Sequence, residues 1–334
     1  MNRLIKSNKS GILTVFWGII TLFFLLEVTL RIPFFWQKYP IYQYKVQEKK
    51  VHCFDEILNA ILLCPNVDEM IRHPHGFHFE LSTNSNGERI TADESKEDRL
   101  KQKSIWAIGD SLTMGWGISD KESFPYLLSK DDWIVRNLAS DSLGSIDIKN
   151  ILQYKIKFTT SYDLNLPSKI VWMFSRSDFV DDTSQKSNRF KFWLGKNIYS
   201  LIAIRSLLEA HKYTKDRNDY KDDLLEKFQE PDNNHPTLLA LQEISALSKK
   251  YKIPILIILT PDWKYTNGPP NYNSAYLNYM DQFFRSHGFQ VLNLTEKYKE
   301  VLNQDFYLLD DGHPNAKAHR LIAKELNATL IKFK

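Results

Sequence analysis

The sequence predicts an α/β fold: a three-layer α/β/α sandwich around a central parallel sheet. Three observations carry this. Apolar runs of strand length recur at Ile105–Ile108, Trp133–Leu138, Lys169–Phe174, Ile253–Thr260 and Gln290–Leu294. Helical candidates alternate with them at Glu122–Ser129, Ile146–Phe158, Trp193–Ala210, Thr237–Lys250 and Ala275–Ser286, with a last helix over Ala316–Ile331. Within the fourth run, Ile255–Leu259 is all isoleucine and leucine, as suits a central strand covered on both faces.

The chain begins differently. Arg3, Lys6 and Lys9 precede Gly11–Leu26, an uncharged and mostly apolar run, and Val28-Thr29-Leu30 extends it beyond Glu27. Together these reach the length that spans a bilayer. Glu27 and Arg31 are four apart, so on a helix they can pair near the exit interface. Phe34, Phe35, Trp36, Tyr39, Tyr42 and Tyr44 follow, as in the aromatic belts found at headgroup level. No small-x-small cleavage site follows the run, which favours an uncleaved anchor over a signal peptide. The expected organisation is a cytoplasmic tail at 1–10, a transmembrane anchor at 11–32, a juxtamembrane segment at 33–103 and the main domain at 104–334. Positive charge before the span predicts the N-terminus inside and the domain outside. In a bacterium this is a single-pass protein of the inner membrane facing the periplasm.

An oxidising location makes a Cys53–Cys64 disulfide chemically accessible. Yet Phe54, Ile57, Leu58, Ile61 and Leu62 follow a helical repeat. Eleven residues of helix separate two Cα atoms by roughly 16 Å, against about 4.4–6.8 Å for a bridge. Helix and disulfide are competing readings. Thr83–Gly87 is turn chemistry. His73, His75 and His78 match no zinc spacing and are read as solvated loop histidines, so no metal or cofactor is expected. Ala92–Lys103 is linker-like, and Lys212–Asn234 is a charged insertion or part of a lid. The net charge of +4 is scattered rather than striped, which argues against a nucleic-acid partner.

Two short motifs carry chemistry. Gly109-Asp110-Ser111-Leu112 closes the first strand of the domain and sets a serine at its carboxyl end, where open α/β sheets hold ligands. A nucleophilic serine needs a base, an orienting acid and an oxyanion site. Near the other end lies Asp310-Asp311-Gly312-His313-Pro314-Asn315, just before the last helix. Asp310 and His313 are spaced so that a carboxylate can curl back onto one imidazole nitrogen while the other faces outward. The bland reading of this segment is a set of helix caps and turn formers.

With both motifs in this order, residues 104–332 resemble the SGNH, or GDSL, hydrolase superfamily. The segment STNSNGER, with Asn84, Ser85, Gly87 and Arg89, resembles a turn of its membrane-anchored bacterial members. The resemblance implies a flavodoxin-like SGNH fold, a serine nucleophile Ser111, a base His313 and an acid Asp310. It also implies an oxyanion hole of the Ser111 backbone N–H, a glycine N–H and an asparagine side chain. Here Ser142 stands where that glycine is expected, with Gly144 the nearest glycine, and Ser177 stands at the asparagine position. Arg176 is either a solvated side chain or a substitute positive charge.

The expected function is a serine esterase acting on ester-linked acyl groups, with acylated envelope carbohydrate or a small ester as substrate. Trp116, Trp263, Tyr265 and Tyr272 are candidates for a sugar platform, with packing an equal reading. An O-acyltransferase with the same triad is one alternative. A carbohydrate-binding or assembly protein with weakened chemistry is the other.

Overall fold

In the computed structural model, the described residues are 2–36, 38–92, 104–130, 133–184, 188–215, 230–261, 274–300, 306–308 and 311–332. One helix, Asn2–Arg31, runs through the apolar segment, and Leu13–Arg31 within it is long and apolar enough to cross a membrane, with none of that stretch buried against protein. Glu27 reaches its neighbour Arg31 only at 4.0 Å. Its carboxylate instead accepts the backbone N–H groups of Tyr199 and Ser200 at 2.9 and 2.8 Å, capping the helix Tyr199–Lys215. This cap begins a new helix where the sequence suggested a single one over Trp193–Ala210. Ile198 is extended, and the chain forms Arg189–Asn197 and Tyr199–Lys215 on either side of it.

A helix Pro40–Val51 is followed by two antiparallel hairpins. The first pairs β1 (His52–Asp55) with β2 (Ala60–Leu63); the second pairs β3 (Asp68–Arg72) with β4 (His78–Ser82). The helical repeat at 54–62 thus loses to a hairpin. Asp55 accepts the Ile57 and Leu58 N–H groups and closes its turn, and Cys53 and Cys64 come to a Cα separation of 4.9 Å as a disulfide. Tyr42 and Tyr44, assigned to the aromatic belt from sequence, are buried here, whereas Phe34 and Tyr39 stay exposed. Tyr44 joins Val51, Leu63, Ile71, Phe79 and Leu81 in a small core that also takes in Met114 and Trp116 from the main domain.

Five parallel strands form the main sheet: β5 (Ile105–Ile108), β6 (Val135–Asn137), β7 (Lys169–Met173), β8 (Ile255–Leu259) and β9 (Gln290–Asn293). Their spatial order is β6-β5-β7-β8-β9. Successive side chains point to opposite faces, as the period of two requires. Trp106, Ile108, Trp172 and Ile257 pack under the helices Ser145–Ser161, Pro236–Tyr251 and Ser274–Ser286. Ile105, Ala107, Val171 and Ile258 pack under Phe124–Lys130 and the last helix, Ala316–Lys332. The three-layer sandwich is therefore as expected. In this order the connections diverge between β5 and β7, which opens a crevice at the carboxyl ends of those two strands.

Arg89 ties the hairpin region to that crevice. It is fully buried and donates through Nε to Asp120 at 2.7 Å. Its Nη1 donates to the carbonyls of Met114 and Gly115, and its Nη2 to those of Glu80 and Ile118. Arg89→Met leaves the Asp120 carboxylate buried without its cation and strands these carbonyls. It is expected to cost about 3–5 kcal/mol, read by denaturant unfolding of the full chain. Arg285→Ala breaks the exposed pair with Asp281 and an exposed 3.3 Å hydrogen bond to the Val291 carbonyl, and is expected to cost under about 1 kcal/mol.

Candidate active site

The crevice is floored by the turn after β5. Gly109 has φ +140°, and a Cβ there would lie 2.3 Å from Thr113 Oγ1 and 2.9 Å from the Trp172 ring, so only glycine fits. Thr113 Oγ1 accepts the Met173 N–H at 3.0 Å, fastening this turn to the end of β7. Asp110 caps a single helical turn, Ser111–Met114, by accepting the Leu112 N–H at 2.9 Å. Ser111 is the first residue of that turn, and its N–H lies among the amides that a helix start leaves without an internal partner.

His313 arrives from the opposite end of the chain. The Leu308 N–H donates to its carbonyl at 2.8 Å, and Asn315 caps the last helix by accepting the N–H groups of Lys317 and Ala318. His313 Nε2 lies 2.8 Å from Ser111 Oγ, so the hydroxyl donates to it. Its Nδ1 donates to Asp311. Among the described residues the acid on the imidazole is Asp311; Asp310, the acid expected from the sequence, lies outside the described residues. The turn through Gly312, at φ +82°, folds back tightly enough to bring the carboxylate two residues before His313 to its Nδ1.

The electrostatics suit a base. Burial pushes the His313 pKa down, but the Asp311 hydrogen bond and the charges of Asp311, Asp141 and Asp110 outweigh it and hold it above 6.5. Burial pushes Asp311 up, and its hydrogen bond and attraction to His313 prevail, so it sits below the usual carboxylate value. Asp110 is raised to about 6, chiefly by burial.

The three expected oxyanion positions behave differently. Ser142 has φ +57°, the left-handed backbone that favours glycine, so the loop after β6 keeps a glycine-like shape while carrying serine. Gly144 serves packing: a Cβ there would come 2.2 Å from Asp182 Oδ1, which accepts the Ile146 N–H. The Ser177 hydroxyl lies 3.1 Å from Asp110 Oδ2 as donor and 2.7 Å from Ser175 Oγ, so its proton is turned toward a carboxylate. Arg176, for which the sequence leaves a solvated side chain and a substitute positive charge both open, is half-buried with its guanidinium 5.7 Å from the Tyr276 ring centre.

Of the platform aromatics, Trp116 is buried against Tyr44 and Phe79 and so presents no sugar-stacking face. Trp263, Tyr265 and Tyr272 lie outside the described residues. A cavity of about 240 Å³ adjoins the Ser142 loop, lined by Glu48, Asn59, Asp141, Ser142, Asp181 and Phe192 among others. Asp141 thus faces the cavity and also acts electrostatically on His313. Neither this cavity nor the contribution of Asp311 was visible in sequence patterns.

Fold and site together define a doubly wound α/β protein with a Ser–His–carboxylate array at its topological switch point. Comparison with solved structures finds chains of low identity to which this one is similar. TesA is 13% identical, with 68% of this chain and 98% of that one covered at a TM-score of 0.42. A catalytic mutant of Axe2, an acetylxylan esterase from Geobacillus stearothermophilus, is 12% identical over 68% and 94% of the two chains, at 0.38. A GDSL-like lipase from Bacteroides thetaiotaomicron is 11% identical over 70% and 89%, at 0.40. No protein-family model and no curated protein matches the sequence.

The Ser142 backbone yields a prediction. Ser142→Gly is expected to fold and turn over normally. Ser142→Val, β-branched at positive φ, is expected to lose about 1–3 kcal/mol in thermal unfolding and to displace the loop from the crevice.

Proposed function

We propose that this chain is a membrane-anchored serine esterase of the SGNH type, acting on O-acyl groups of carbohydrate or on small esters outside the cytoplasmic membrane. The observation that carries the reading is the hydrogen-bonded array Ser111–His313–Asp311 at the mouth of the β5/β7 crevice. As Ser111 Oγ attacks the ester carbonyl, its proton passes to His313 Nε2, and Asp311 stabilises the imidazolium. The tetrahedral intermediate collapses by breaking the bond to the leaving alcohol, which takes the proton from Nε2. Water, activated by His313 in the same way, then releases the acid from Ser111. The N–H groups of Ser111 and Ser142 are the oxyanion donors in this scheme. The apolar N-terminal helix and the positive residues before it support a reading with the N-terminus inside, the domain in the periplasm and a substrate at the envelope. The polar cavity beside Ser142 suits a hydroxyl-rich leaving group better than an acyl chain.

A weakened, binding or assembly role is the second reading, favoured by one observation: the Ser177 hydroxyl is engaged by Asp110. Losing one preorganised oxyanion donor costs about 3–4 kcal/mol of barrier. If Ser177 is not a donor, Ser177→Ala is expected to lower kcat by under about tenfold, against about a hundredfold or more for a working oxyanion donor.

Fluorophosphonate labelling of the full chain in detergent is expected to mark Ser111 and to vanish in Ser111→Ala; equal labelling of both excludes the proposal. On p-nitrophenyl acetate, Asp311→Asn is expected to lower kcat about 10⁴-fold. Activity requires neutral His313, so kcat/KM is expected to rise with pH through a limb lying above 6.5. The residual Asp311→Asn activity should show that limb at lower pH, because the group that raises the His313 pKa is gone. Release of acetate from acetylated xylan, with and without a deacetylated glycan acceptor, separates hydrolysis from acyl transfer.

A further inference from the structure

The histidine cluster read from sequence as solvated has one member deep inside the protein. His73 sits on the turn between β3 and β4, with its side chain 4% exposed and its Nε2 3.5 Å from Asp311 Oδ2. That is the carboxylate oxygen not used by His313. The ring is held on every side. Phe77 stacks on it at 4.2 Å and 13°, and Tyr44 meets it edge-on at 4.7 Å. Its backbone N–H donates to the Phe77 carbonyl at 2.9 Å, which fixes the turn.

The tautomer follows from the other ring nitrogen. The His75 N–H points at His73 Nδ1 from 3.4 Å, so Nδ1 is the acceptor and the ring proton lies on Nε2, directed toward Asp311. The charged and titratable groups acting on this ring are Asp311, His75, His313 and Lys45. Burial is the largest influence and pushes the His73 pKa down to about 4, with Asp311 pulling the other way. The ring is therefore neutral at working pH. A neutral donor steadies a carboxylate without competing for its charge with the imidazolium that forms at His313.

We propose that His73 is a positioning residue for the catalytic array, its Nε2–H orienting Asp311, so that the β3–β4 hairpin completes an active site the α/β sandwich holds only in part. The inference rests on the triad reading above, and its tests include one that needs no turnover. With His313 on one oxygen and the His73 ring 3.5 Å from the other, the Asp311 carboxylate has fewer rotamers open to it and a steadier hydrogen-bond direction to Nδ1. Removing the Nε2–H takes away an electrostatic influence that favours the Asp311 carboxylate, so Asp311 becomes more basic and His313 holds its proton more tightly.

The variant His73→Phe keeps the ring and its stacking on Phe77 but removes the N–H, whereas His73→Gln restores an amide donor of similar reach. On p-nitrophenyl acetate, His73→Phe is expected to lower kcat about 10- to 100-fold with little change in KM, as loss of an orienting partner does at comparable sites. His73→Gln is expected to recover part of that loss. In a Ser111→Ala background, NMR titration of the His313 ring is expected to move up by about half a unit or more in His73→Phe. In the unmodified chain, ring nitrogen shifts are expected to report the Nε2–H tautomer of His73 down to about pH 4. A His73→Phe protein with wild-type kcat and an unmoved His313 titration overturns the proposal, as does an Nδ1–H tautomer for His73. An inactive wild type with a coupled His73–His313 titration would instead sink the esterase reading and leave the orientation of Asp311 standing.

Discussion

The Arg89 guanidinium is wholly buried, and its N–H groups end on the Asp120 carboxylate and the carbonyls of Met114, Gly115, Glu80 and Ile118. A cation in such a place is tolerated only when its donors are met and its charge is paired. Because the partners come from β4, from the turn after Ser111 and from the short helix Asp120–Glu122, meeting them fixes these three segments relative to one another. Burial raises the Asp120 pKa even beside Arg89, a sign of how dry this junction is. The Ser111 turn is thereby clamped from two directions: Thr113 binds it to the sheet, and Arg89 binds it to the hairpins.

That clamp explains why residues 40–92 bear on chemistry. The small core of Tyr44, Ile71, Phe79 and Trp116 sets the β3–β4 turn against the His313 loop, and His73 is the residue that touches Asp311 across the seam. On the far side the same segment contributes Glu48, Asn59 and Phe192's neighbour Phe54 to the surroundings of the cavity beside Ser142. The Cys53–Cys64 bridge holds its first hairpin closed. A disulfide of this loop size contributes about 3 kcal/mol.

Carboxylates dominate the field at the site, and they act in opposite senses on its two halves. Asp311, Asp141 and Asp110 raise the basicity of His313, which helps it take the serine proton. The same negative charge opposes an oxyanion developing beside Ser111. The Ser177 hydroxyl, which donates to Asp110, takes up part of that carboxylate's charge. An asparagine at 177 would present a longer donor able to reach past Asp110; serine does not have that length. On the proposed esterase reading, the balance between base strength and oxyanion stabilisation, rather than the presence of a triad, sets the rate.

Much of this was legible in the amino-acid order. Strands and helices follow from apolar periodicity, which depends on near neighbours alone, and all five sheet strands lie within the runs that predict them. The strand-end serine and the histidine before the last helix follow from local turn chemistry at Gly109 and Asn315. Pairings across the chain did not follow. The repeat at 54–62 suits a helix in isolation and becomes a hairpin because of the turn closed by Asp55 and the bridge at Cys53. Tyr42 and Tyr44 resemble an interfacial belt until a core buries them, and His73 resembles a solvated loop residue until Phe77 and Asp311 enclose it. The contact of Asp311 with His313 depends on the backbone path through Gly312, a matter of a few ångströms. By itself the sequence determined the layered fold, the apolar N-terminal helix and Ser111 with His313. Only the tertiary structure decided which acid meets His313, where the Ser177 proton points and that a hairpin outside the sandwich reaches the site, because these depend on contacts between residues distant in the chain.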